Sequence, residues 1–462
     1  MSNKRGNGSG LNAIERRAAY SLSGLFSLRM LGLFLILPVF SLYAEGLPDV
    51  TPLLVGIAIG IYGLTQALLQ IPFGMLSDRI GRKPVLIGGL LVFAFGSVVA
   101  ATSETIYGII LGRALQGSGA IAAVIMALAA DLSREQRRLR MMAIIGISIG
   151  FAFAVALILG PILNSWIGVP GIFWLTAVLA LCGVAIVLFV VPTPKESHFH
   201  RDAEAVPSQF GKVLADPELL RLDLGILTLH MTLTAMFLAY PLSLRDLGMA
   251  SESHWQIYLP VMLLSMVMMV PFVIIAESRR RMRPVFLGGI AALGLAAALL
   301  YGFSQQLLVL VVGLFIFFTA FNLLEATLPS LIAKSAPGER KGTAMGVYSS
   351  SQFIGAFLGG ALGGWIHTYF GNEGVFLLCG VMALVWLLIA RGMPDPSYLS
   401  NYLLPVGKLD ESEVARLAAK LMAIDGVDDA VIIAEDEVAY LKVDLQVVDQ
   451  QVLDDYAVGE VH

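Results

Sequence analysis

Charge is scarce in this chain of 462 residues: only 14% are Asp, Glu, Lys or Arg, whereas 57% are hydrophobic. Soluble globular proteins carry about 25% charged residues, so this composition excludes an ordinary soluble protein. What the chain has instead is long apolar runs, and about 20 such residues cross the hydrocarbon core of a bilayer as a helix. The composition therefore predicts a multi-pass membrane protein surrounded by lipid.

Cysteine is nearly absent as well. The two cysteines, Cys182 and Cys379, lie in separate apolar runs without CxxC or CxxH spacing, so we expect buried packing rather than a disulfide framework or a metal site. The chain contains no GxxxxGK[ST] phosphate loop and no HExxH or GxSxG, which argues against an ATP-driven pump and an intramembrane hydrolase. We expect no enzyme activity, no cofactor, no metal and no nucleic-acid partner.

Apolar runs long enough to span a bilayer recur along the chain, and the sequence predicts an all-α membrane fold of twelve transmembrane helices. The first run is no cleavable signal, because it is long, holds Arg29 in its middle and lacks a small-x-small cleavage site. The predicted spans are centred near Phe34, Gly63, Phe93, Ile121, Phe153, Ala180, Thr232, Met266, Ala292, Phe317, Gly355 and Ala383.

The distribution of basic residues predicts the orientation. With the N-terminus in the cytoplasm, 27 of the 30 Lys and Arg fall on cytoplasmic segments, and only Arg29, Arg113 and Arg245 do not. Positive residues concentrate on cytoplasmic loops of membrane proteins. We therefore expect both termini in the cytoplasm and, for a bacterial chain, a location in the inner membrane.

A charged loop occurs twice. "QIPFGMLSDRIGRKPVLIGG" (70–89), after the second span, aligns with "MVPFVIIAESRRRMRPVFLGG" (269–289), after the eighth, with Asp78 over Glu277 and Arg82 over Arg281. Two six-helix halves in the same orientation are a known transporter architecture with the substrate path between them. The predicted units are the N-terminal half (1–192), a cytoplasmic linker (193–217), the C-terminal half (218–392) and an acidic cytoplasmic domain (393–462).

The first copy, "GMLSDRIGRK", resembles the loop signature G-x-L-x-D-R-x-G-R-K of the major facilitator superfamily. "RALQGSGA", with Arg113, Gly117 and Gly119, is similar to that family's second signature. "LGPILNSWIG" holds the Gly160 and Pro161 pair of the antiporter signature, with Asn and Ser where the drug-antiporter pattern has two glycines. The resemblance covers all twelve spans. It implies a secondary transporter, proton-coupled drug export, and helix packing at these four signature glycine and proline positions.

The charged loop itself favours a conformational role. Gly74 and Gly81 permit a tight turn, and Asp78 is expected to face the N-terminus of the eleventh span near residues 342–346, where a helix dipole favours a carboxylate. Arg82 is expected to bridge to Asp131, so that these three charged residues latch the two halves together on the inner side, as the resemblance also implies. A solvated loop whose Arg79 and Lys83 only set the topology is the alternative.

Ionisable residues inside the spans are candidates for coupling, because charge is costly there. We predict that Glu325 carries protons, with His230 as a second candidate and Arg113 as a fixed charge that favours deprotonation of a nearby carboxyl. Structural pairing is the alternative for each of them. Arg29 is expected to line the substrate cavity, whereas Asp223 starts the seventh span and is expected at the membrane interface.

An amphipathic substrate would need aromatic and methionine-rich walls with few polar groups, although such residues also serve ordinary helix packing. The other predicted cavity residues are Phe34, Tyr62, Gln66, Met126, Met231, Phe237 and Asn322. The predicted function is proton-coupled export of small hydrophobic or amphipathic molecules by alternating access. The alternatives are a facilitator or exporter of a sugar or other metabolite without proton coupling, and a membrane-anchored sensor.

The tail differs in character, with 14 Asp and Glu against 4 Lys and Arg in residues 406–462. A capping-box spacing from Asp410 to Glu413 opens a predicted helix, with "YLLPV" as a strand before it and two strands around "AEDE" after it. With "DQQVLDDYAV" as a second helix this predicts a small ferredoxin-like domain. We expect this domain to dock on the transporter's own basic loops, to dimerise, or to be a passive folded tail.

Overall fold

The computed structural model describes residues 11–194, 206–337, 340–394, 400–407, 409–434, 437–444, 447–449, 452–453 and 455–457. The predicted linker and the acidic tail therefore lie partly outside the described residues. Five basic residues that enter the orientation prediction lie outside them too, namely Lys4, Arg5, Lys195, Arg201 and Lys408.

Helices dominate the described chain, as apolar runs require when the backbone must satisfy its own hydrogen bonds. In chain order they are α1 (Ala13–Phe34), α2 (Phe40–Ala44), α3 (Pro52–Ile80), α4 (Arg82–Thr102), α5 (Ile106–Ser118), α6 (Ala122–Asp131), α7 (Glu135–Phe189), α8 (Phe210–Leu214), α9 (Pro217–Asp246), α10 (Trp255–Ser278), α11 (Met282–Phe303), α12 (Leu307–Ser335), α13 (Lys341–Ala390) and α14 (Glu411–Met422). Short 3-10 turns cover Pro207–Gln209 and Ser251–Ser253.

Nine helical stretches of the described chain are long and apolar enough to cross a membrane, with α5 and α6 counted as one and α1 not among them. Two are far longer than one crossing needs: the apolar stretch of α7 and the whole of α13 each cover 50 residues. Each contains one glycine with positive φ, Gly168 (φ 67°) and Gly371 (φ 62°), so each consists of two helical segments. The predicted spans near Phe153 and Ala180 both lie on α7.

Small residues bring α3 and α13 into backbone contact in an antiparallel line. A Cβ atom on Gly56 would lie 2.0 Å from the carbonyl oxygen of Gly360, and one on Gly63 would lie 2.4 Å from that of Phe353. Further along the same line, the side-chain amide of Gln70 donates to Ser350 Oγ at 2.7 Å. Such close approach is how helices associate in a bilayer.

Glycine also sets the contact between α9 and α13, which run parallel to each other. A Cβ atom on Gly355 would lie 2.1 Å from the carbonyl oxygen of Leu227, and one on Gly359 would lie 2.2 Å from that of Met231. The two helices are therefore fixed side by side over at least one turn.

We expect Gly355→Ala to reduce the free energy of unfolding by about 1 to 3 kcal/mol, because the added methyl overpacks the α9–α13 contact. Thermal unfolding of the purified protein in detergent measures this loss. Gly288→Ala is the matched control, since no atom lies within 4 Å of a Cβ placed there. Equal melting temperatures for the two variants would contradict the close contact.

The tail forms a three-stranded antiparallel sheet of β1 (Ser400–Pro405), β2 (Val427–Ile433) and β3 (Val438–Val443), in the order β1-β3-β2. The capping box predicted at the start of α14 is confirmed, because Asp410 accepts from the Glu413 amide and Glu413 returns the bond. The Ser412 hydroxyl and the Glu413 amide donate to the Asp410 carboxylate and hold its pKa below the usual range. The predicted second helix falls in a stretch that the structure describes only in part.

Candidate functional site

The charged loop between α3 and α4 turns at Gly81, whose φ of 96° is accessible to glycine at no steric cost. Arg82 begins α4 and is 4% exposed. Its Nε donates to Asp131 Oδ2 at 3.1 Å, and its Nη1 donates to Ser77 Oγ at 2.8 Å and to Asp78 Oδ1. The structure thus places Arg82 between Asp78 and Asp131, and we call these three residues the charged-loop cluster.

The other residues of the loop lie around this cluster. Arg79 is exposed. Lys83 donates from Nζ to the carbonyl oxygen of Val191 at 2.8 Å and so connects α4 to the end of α7. Gly74 faces α6, where an added Cβ would meet Ala123 Cβ at 3.6 Å.

Within the described residues, Asp78 forms no hydrogen bond with the N-terminus of α13. The antiparallel contact between α3 and α13 directs the end of α3 that carries Asp78 toward residues 342–346, as expected. In the described chain, however, the only hydrogen-bond and salt-bridge partner of Asp78 is Arg82. Its side chain is 34% exposed. Arg82, one turn later along the chain, thus binds the carboxylate, and the remainder of the Asp78 side chain is exposed.

The second copy of the loop makes different contacts. Glu277, which aligns with Asp78, accepts from Lys334 Nζ at 2.8 Å and from Ser330 Oγ at 3.1 Å, so it contacts α12. Arg281, which aligns with Arg82, forms no salt bridge within the described residues. Its neighbour Arg280 donates to both carboxylate oxygens of Asp444 at 2.9 Å. The repeat is therefore preserved in sequence position but not in bonding.

At the opposite end of α3, a polar contact joins α2 and α9. Arg245, near the end of α9, pairs with Glu45 and also with Asp246, whose Oδ1 lies 2.9 Å from Arg245 Nη2. Asn372 on α13 donates to Asp246 Oδ2 at 3.2 Å. Three helices are thereby connected at the end far from the charged-loop cluster.

Two arginines are buried among α1, α3, α4 and α5 without a carboxylate partner in the described chain. Arg29, 2% exposed, donates from Nη2 to Gln66 Oε1 at 2.5 Å and to the carbonyl oxygen of Gly119 at 3.1 Å. Arg113, 3% exposed, donates from Nη1 to Gln116 Oε1 at 2.9 Å and from Nε and Nη2 to backbone carbonyls of α3. Tyr62 lies between them, with its ring centre 5.9 Å from Arg29 Cζ and 5.2 Å from Arg113 Cζ.

A second polar cluster lies between α9, α12 and α13. The Gln352 amide nitrogen is 2.8 Å from His230 Nε2 and donates to Glu325 Oε1 at 3.2 Å. His230 Nε2 is 3.8 Å from Glu325 Oε2. The structure brings both predicted coupling residues of this region together through a glutamine, and we call these three residues the coupling cluster.

Arg113 stands apart from this cluster, because its polar contacts all lie on α3 and α5. Asn322, one turn before Glu325, donates to Ser265 Oγ of α10 at 3.3 Å. The predicted carboxylate neighbour of Arg113 is therefore not among the residues it contacts, and Glu325 has an amide rather than an arginine beside it.

Aromatic rings make contacts between the helices that carry the buried arginines and those that carry the coupling cluster. Phe34 meets Phe153 edge to face at 4.8 Å between ring centres, and Phe153 meets Phe321 at 5.9 Å. His230 is 5.7 Å from the Phe321 ring, and Tyr62 is 6.4 Å from Phe353. Contacts between α7 and α12, and between α3 and α13, are thus made through rings.

The predicted cavity residues are not equally placed. Met231 and Phe237 on α9 are buried, with Phe237 packed against Tyr258 and Phe318. Phe34, Met126 and Asn322 are partly exposed, and Gln66 and Tyr62 are buried beside Arg29. The aromatic and methionine positions therefore include both core residues and residues with accessible surface.

The signature glycines serve close helix contacts. A Cβ on Gly117 would lie 2.2 Å from the carbonyl oxygen of Tyr62, one on Gly119 would lie 2.3 Å from that of Gly89, and one on Gly160 would lie 2.5 Å from that of Leu35. Pro161 follows inside α7. These positions hold α5 against α3 and α4, and α7 against α1.

Sequence reasoning missed Gln352, Gln116 and Ser265 as members of the polar clusters. The available signal was weak: Gln352 ends the polar run "SSSQ" inside an otherwise apolar helix, and Gln116 lies within the second signature. Within the described residues, no group of three or more His, Cys, Asp or Glu could hold a metal ion.

The comparisons with known proteins agree with this architecture. A model of the Major Facilitator Superfamily matches residues 22–360 and 278–401. The inner membrane transport protein YajR of Escherichia coli (strain K12) is 49% identical over 94% of this chain and 95% of its own length. An uncharacterized transporter of Buchnera aphidicola subsp. Schizaphis graminum is 35% identical over 82% of this chain and 97% of its own.

Among solved structures, a bacterial homologue of the human lysosomal transporter Spinster, crystallised in an inward-facing and occupied conformation, is similar in fold. Its TM-score is 0.68 at 13% identity, and the match covers 83% of this chain and 97% of that one. At this identity the likeness concerns the fold alone.

Proposed function

The chain belongs to the Major Facilitator Superfamily, and from that premise we propose that it exports small hydrophobic or amphipathic molecules in exchange for protons by alternating access. Membership makes it a multi-pass membrane transport protein and not an enzyme, as the sequence predicts. The observation that carries the proton coupling is the coupling cluster, in which a carboxyl, an amide and an imidazole meet inside apolar helices. An ionisable residue at such depth is costly, so its presence there points to a function.

The architecture that goes with this proposal has twelve spans in two halves. α7 and α13 each supply two spans, separated at Gly168 and Gly371, and α1 supplies the first. The halves are residues 1–192 and 218–392, joined by the linker 193–217, with both termini in the cytoplasm and the protein in the inner membrane. The charge asymmetry of the loops supports this orientation.

The charged-loop cluster is proposed as the conformational latch of the cytoplasmic side. Arg82 holds Asp78 and Asp131 together within the N-terminal half, so Asp78 is kept at the end of α3 that points toward α13. When the cytoplasmic ends close, Asp78 reaches the N-terminus of α13, where a partly buried carboxylate gains up to about 2 kcal/mol. The polar contact of Glu45 with Arg245 at the other end supports a state closed to the outside.

Proton coupling is proposed to run through Glu325. His230 accepts or releases a proton beside it, and Gln352 holds both side chains in reach of each other. Arg113 and Arg29 supply positive charge in the N-terminal half, where no carboxylate contacts them in the described chain. The substrate path lies between the halves, with Phe34, Phe153 and Phe321 as its apolar walls.

The experiment that tests this function uses purified protein in liposomes with a pH-sensitive dye inside. A panel of lipophilic cations, lipophilic anions, sugars and amino acids is added outside, and proton movement is followed with protein-free liposomes as the control. Proton movement triggered by amphipathic compounds supports antiport. Movement of a substrate without protons would identify a facilitator, and no movement of any compound would favour a sensor.

The acidic tail is proposed to be a ferredoxin-like domain that docks on the cytoplasmic face of the C-terminal half. Its sheet order β1-β3-β2 is that of the first three strands of such a fold. Arg280 donates to Asp444, and Lys442 Nζ donates to the carbonyl oxygen of Lys334 at 3.3 Å. These two contacts, one through an acidic and one through a basic side chain of the domain, support the proposed docking.

We expect Arg280→Glu to lower the yield of the Lys334–Lys442 cross-link by about two- to fivefold, since an exposed ion pair contributes up to about 1 kcal/mol. An amine-reactive cross-linker and mass spectrometry of the full chain measure this yield. Asp428→Arg, on an exposed position of the same domain, is the control. Recovery of the cross-link in an Arg280→Glu, Asp444→Arg double variant supports docking, whereas an unchanged yield in Arg280→Glu contradicts it.

A further inference from the structure

Asp223 is a buried carboxyl that the sequence placed at the membrane interface. It lies on α9 six residues after Pro217, about 9 Å along the helix, yet the residue is only 5% exposed. Neither of its carboxylate oxygens has a hydrogen-bond partner in the described part of the chain. A buried, unpaired carboxylate is expensive, so this residue is not an ordinary interfacial one.

Tyr348 is a second buried polar side chain, on α13 one turn before Gln352 of the coupling cluster. It is 4% exposed, its hydroxyl has no hydrogen-bond partner among the described residues, and it lies within electrostatic reach of the carboxyl groups of Asp223 and Glu325. The parallel contact of α9 and α13 at Gly355 places the two helices side by side here. A tyrosine hydroxyl both donates and accepts, so it suits a position between two carboxyls.

These groups lie at different distances from the ends of their helices. Measured along the helices at 1.5 Å per residue, Tyr348 lies about 10 Å from the start of α13, and Gln352 about 6 Å further. Glu325 lies about 15 Å from the end of α12, and His230 about 20 Å from the start of α9. The three helix ends concerned, the start of α9, the end of α12 and the start of α13, all belong to the side predicted to be cytoplasmic. Asp223 and Tyr348 therefore lie closer to that side than the coupling cluster does.

Charged groups near Asp223 on the neighbouring elements have other contacts. Glu218 on α9 accepts from Ser335 Oγ of α12 at 2.6 Å, and Arg221 donates to the carbonyl oxygen of Gly392 at 3.0 Å. Lys334 of α12 contacts Glu277, and Lys212 of α8 is exposed. Within the described residues no cation forms an ion pair with Asp223, and its carboxylate oxygens accept no hydrogen bond there.

We propose that Asp223 and Tyr348 form a proton relay between the cytoplasmic side and the coupling cluster, an inference that rests on the proposed proton coupling. In a conformation that brings the Tyr348 hydroxyl within hydrogen-bond distance of both carboxyls, the Asp223 carboxyl gives its proton to the Tyr348 oxygen while the Tyr348 hydroxyl gives its own proton to the Glu325 carboxylate. The tyrosine is neutral before and after the transfer. Reprotonation of Asp223 from the cytoplasm completes the cycle, and the reverse sequence releases a proton.

The first test separates proton-linked steps from substrate-linked ones in proteoliposomes. Asp223→Asn and Tyr348→Phe are expected to slow transport driven by a pH gradient by about tenfold or more, because a positioned proton-transfer group is removed. Substrate exchange at equal pH, which needs no net proton movement, is expected to change less than about twofold in the same variants. Glu218→Gln on the same helix is the control and is expected to match the wild type in both assays. Equal losses in both assays for Asp223→Asn would indicate a structural role and overturn the relay.

The second test does not depend on a substrate. Infrared difference spectra of the purified full-length protein between acidic and alkaline pH record the carbonyl stretch of protonated carboxyl groups. The relay predicts that one titrating band disappears in Asp223→Asn, a second disappears in Glu325→Gln, and Tyr348→Phe shifts both. Spectra unchanged by Asp223→Asn would overturn the relay even if transport is proton-coupled. If the wild-type protein moves no protons with any substrate, the proposed function fails, and these spectra still decide whether Asp223 exchanges a proton beside Tyr348.

Discussion

Glu325→Gln is expected to abolish substrate-driven proton movement, down to the level of protein-free liposomes. Glutamine keeps the size of the side chain and can still accept from the Gln352 amide, which donates to Glu325 at 3.2 Å in the wild-type protein. It cannot bind or release a proton, so only the coupling is removed. Dye-loaded proteoliposomes that hold a substrate found in the panel measure the effect.

Glu277→Gln is the matched control, because Glu277 is a carboxylate at the end of α10 with 45% of its side chain exposed. It is expected to retain the proton movement of the wild type. The Glu325→Gln protein is also expected to retain substrate exchange at equal pH, which shows that it is folded and binds substrate. Normal proton movement in Glu325→Gln would remove Glu325 from the coupling mechanism.

Asp131→Asn is expected to lower the free energy of unfolding by about 3 kcal/mol, because it removes one partner of a buried ion pair. The Asp131 side chain is fully buried, that of Arg82 is 3% exposed, and Arg82 Nε lies 3.1 Å from Asp131 Oδ2. Asp78 remains beside Arg82 in the variant, but it is solvent-exposed and compensates the guanidinium less well. Thermal unfolding in detergent measures the change.

Asp78→Asn provides the comparison within the same cluster. With 34% of its side chain exposed, Asp78 is expected to contribute little to stability. Its loss is expected to appear instead in the transport rate and in the balance of inward-open and outward-open molecules, read from the labelling of engineered cysteines on each side. A variant with unchanged rate and balance would leave the loop as a determinant of topology alone.

The charged-loop cluster could be predicted from sequence because its residues are conspicuous. Two acids and an arginine stand at the ends of apolar runs, where acidic residues contribute little to orientation and so need another explanation. Opposite charges near each other at helix ends also have few possible partners. The direct contact of Asp78 with α13 was not found, since sequence does not tell which conformation the helix ends adopt.

Only two of the three residues of the coupling cluster could be predicted from the sequence. Glu325 and His230 stand out as ionisable residues in apolar runs, whereas Gln352, which joins them, is one amide in a polar run. Asp223 was placed at the interface, because hydropathy gives depth along a helix but not the direction in which a side chain points. Burial of Asp223 depends on the contact of α9 with α13, which is a tertiary property.

The helices, too, could be predicted only in part from the sequence. Hydropathy counts apolar runs, so it separates the runs near Phe153 and Ala180, which the structure joins in α7 with a break at Gly168. The capping box of α14 and the three strands of the tail follow from short-range signals, namely an N-cap with its partner three residues on and alternating apolar residues. Local chemistry was sufficient there, because those elements are defined by neighbours in the chain.

Proton-coupled transport is the central claim, and one measurement tests it most directly. Wild-type proteoliposomes are given an inside-acidic pH gradient in the presence of a radiolabelled lipophilic substrate, with and without a protonophore. Accumulation of the substrate above its external concentration, abolished by the protonophore, is the result that the proposed antiport predicts. Equilibration to the external concentration, unaffected by the gradient, would contradict it and make the protein a facilitator.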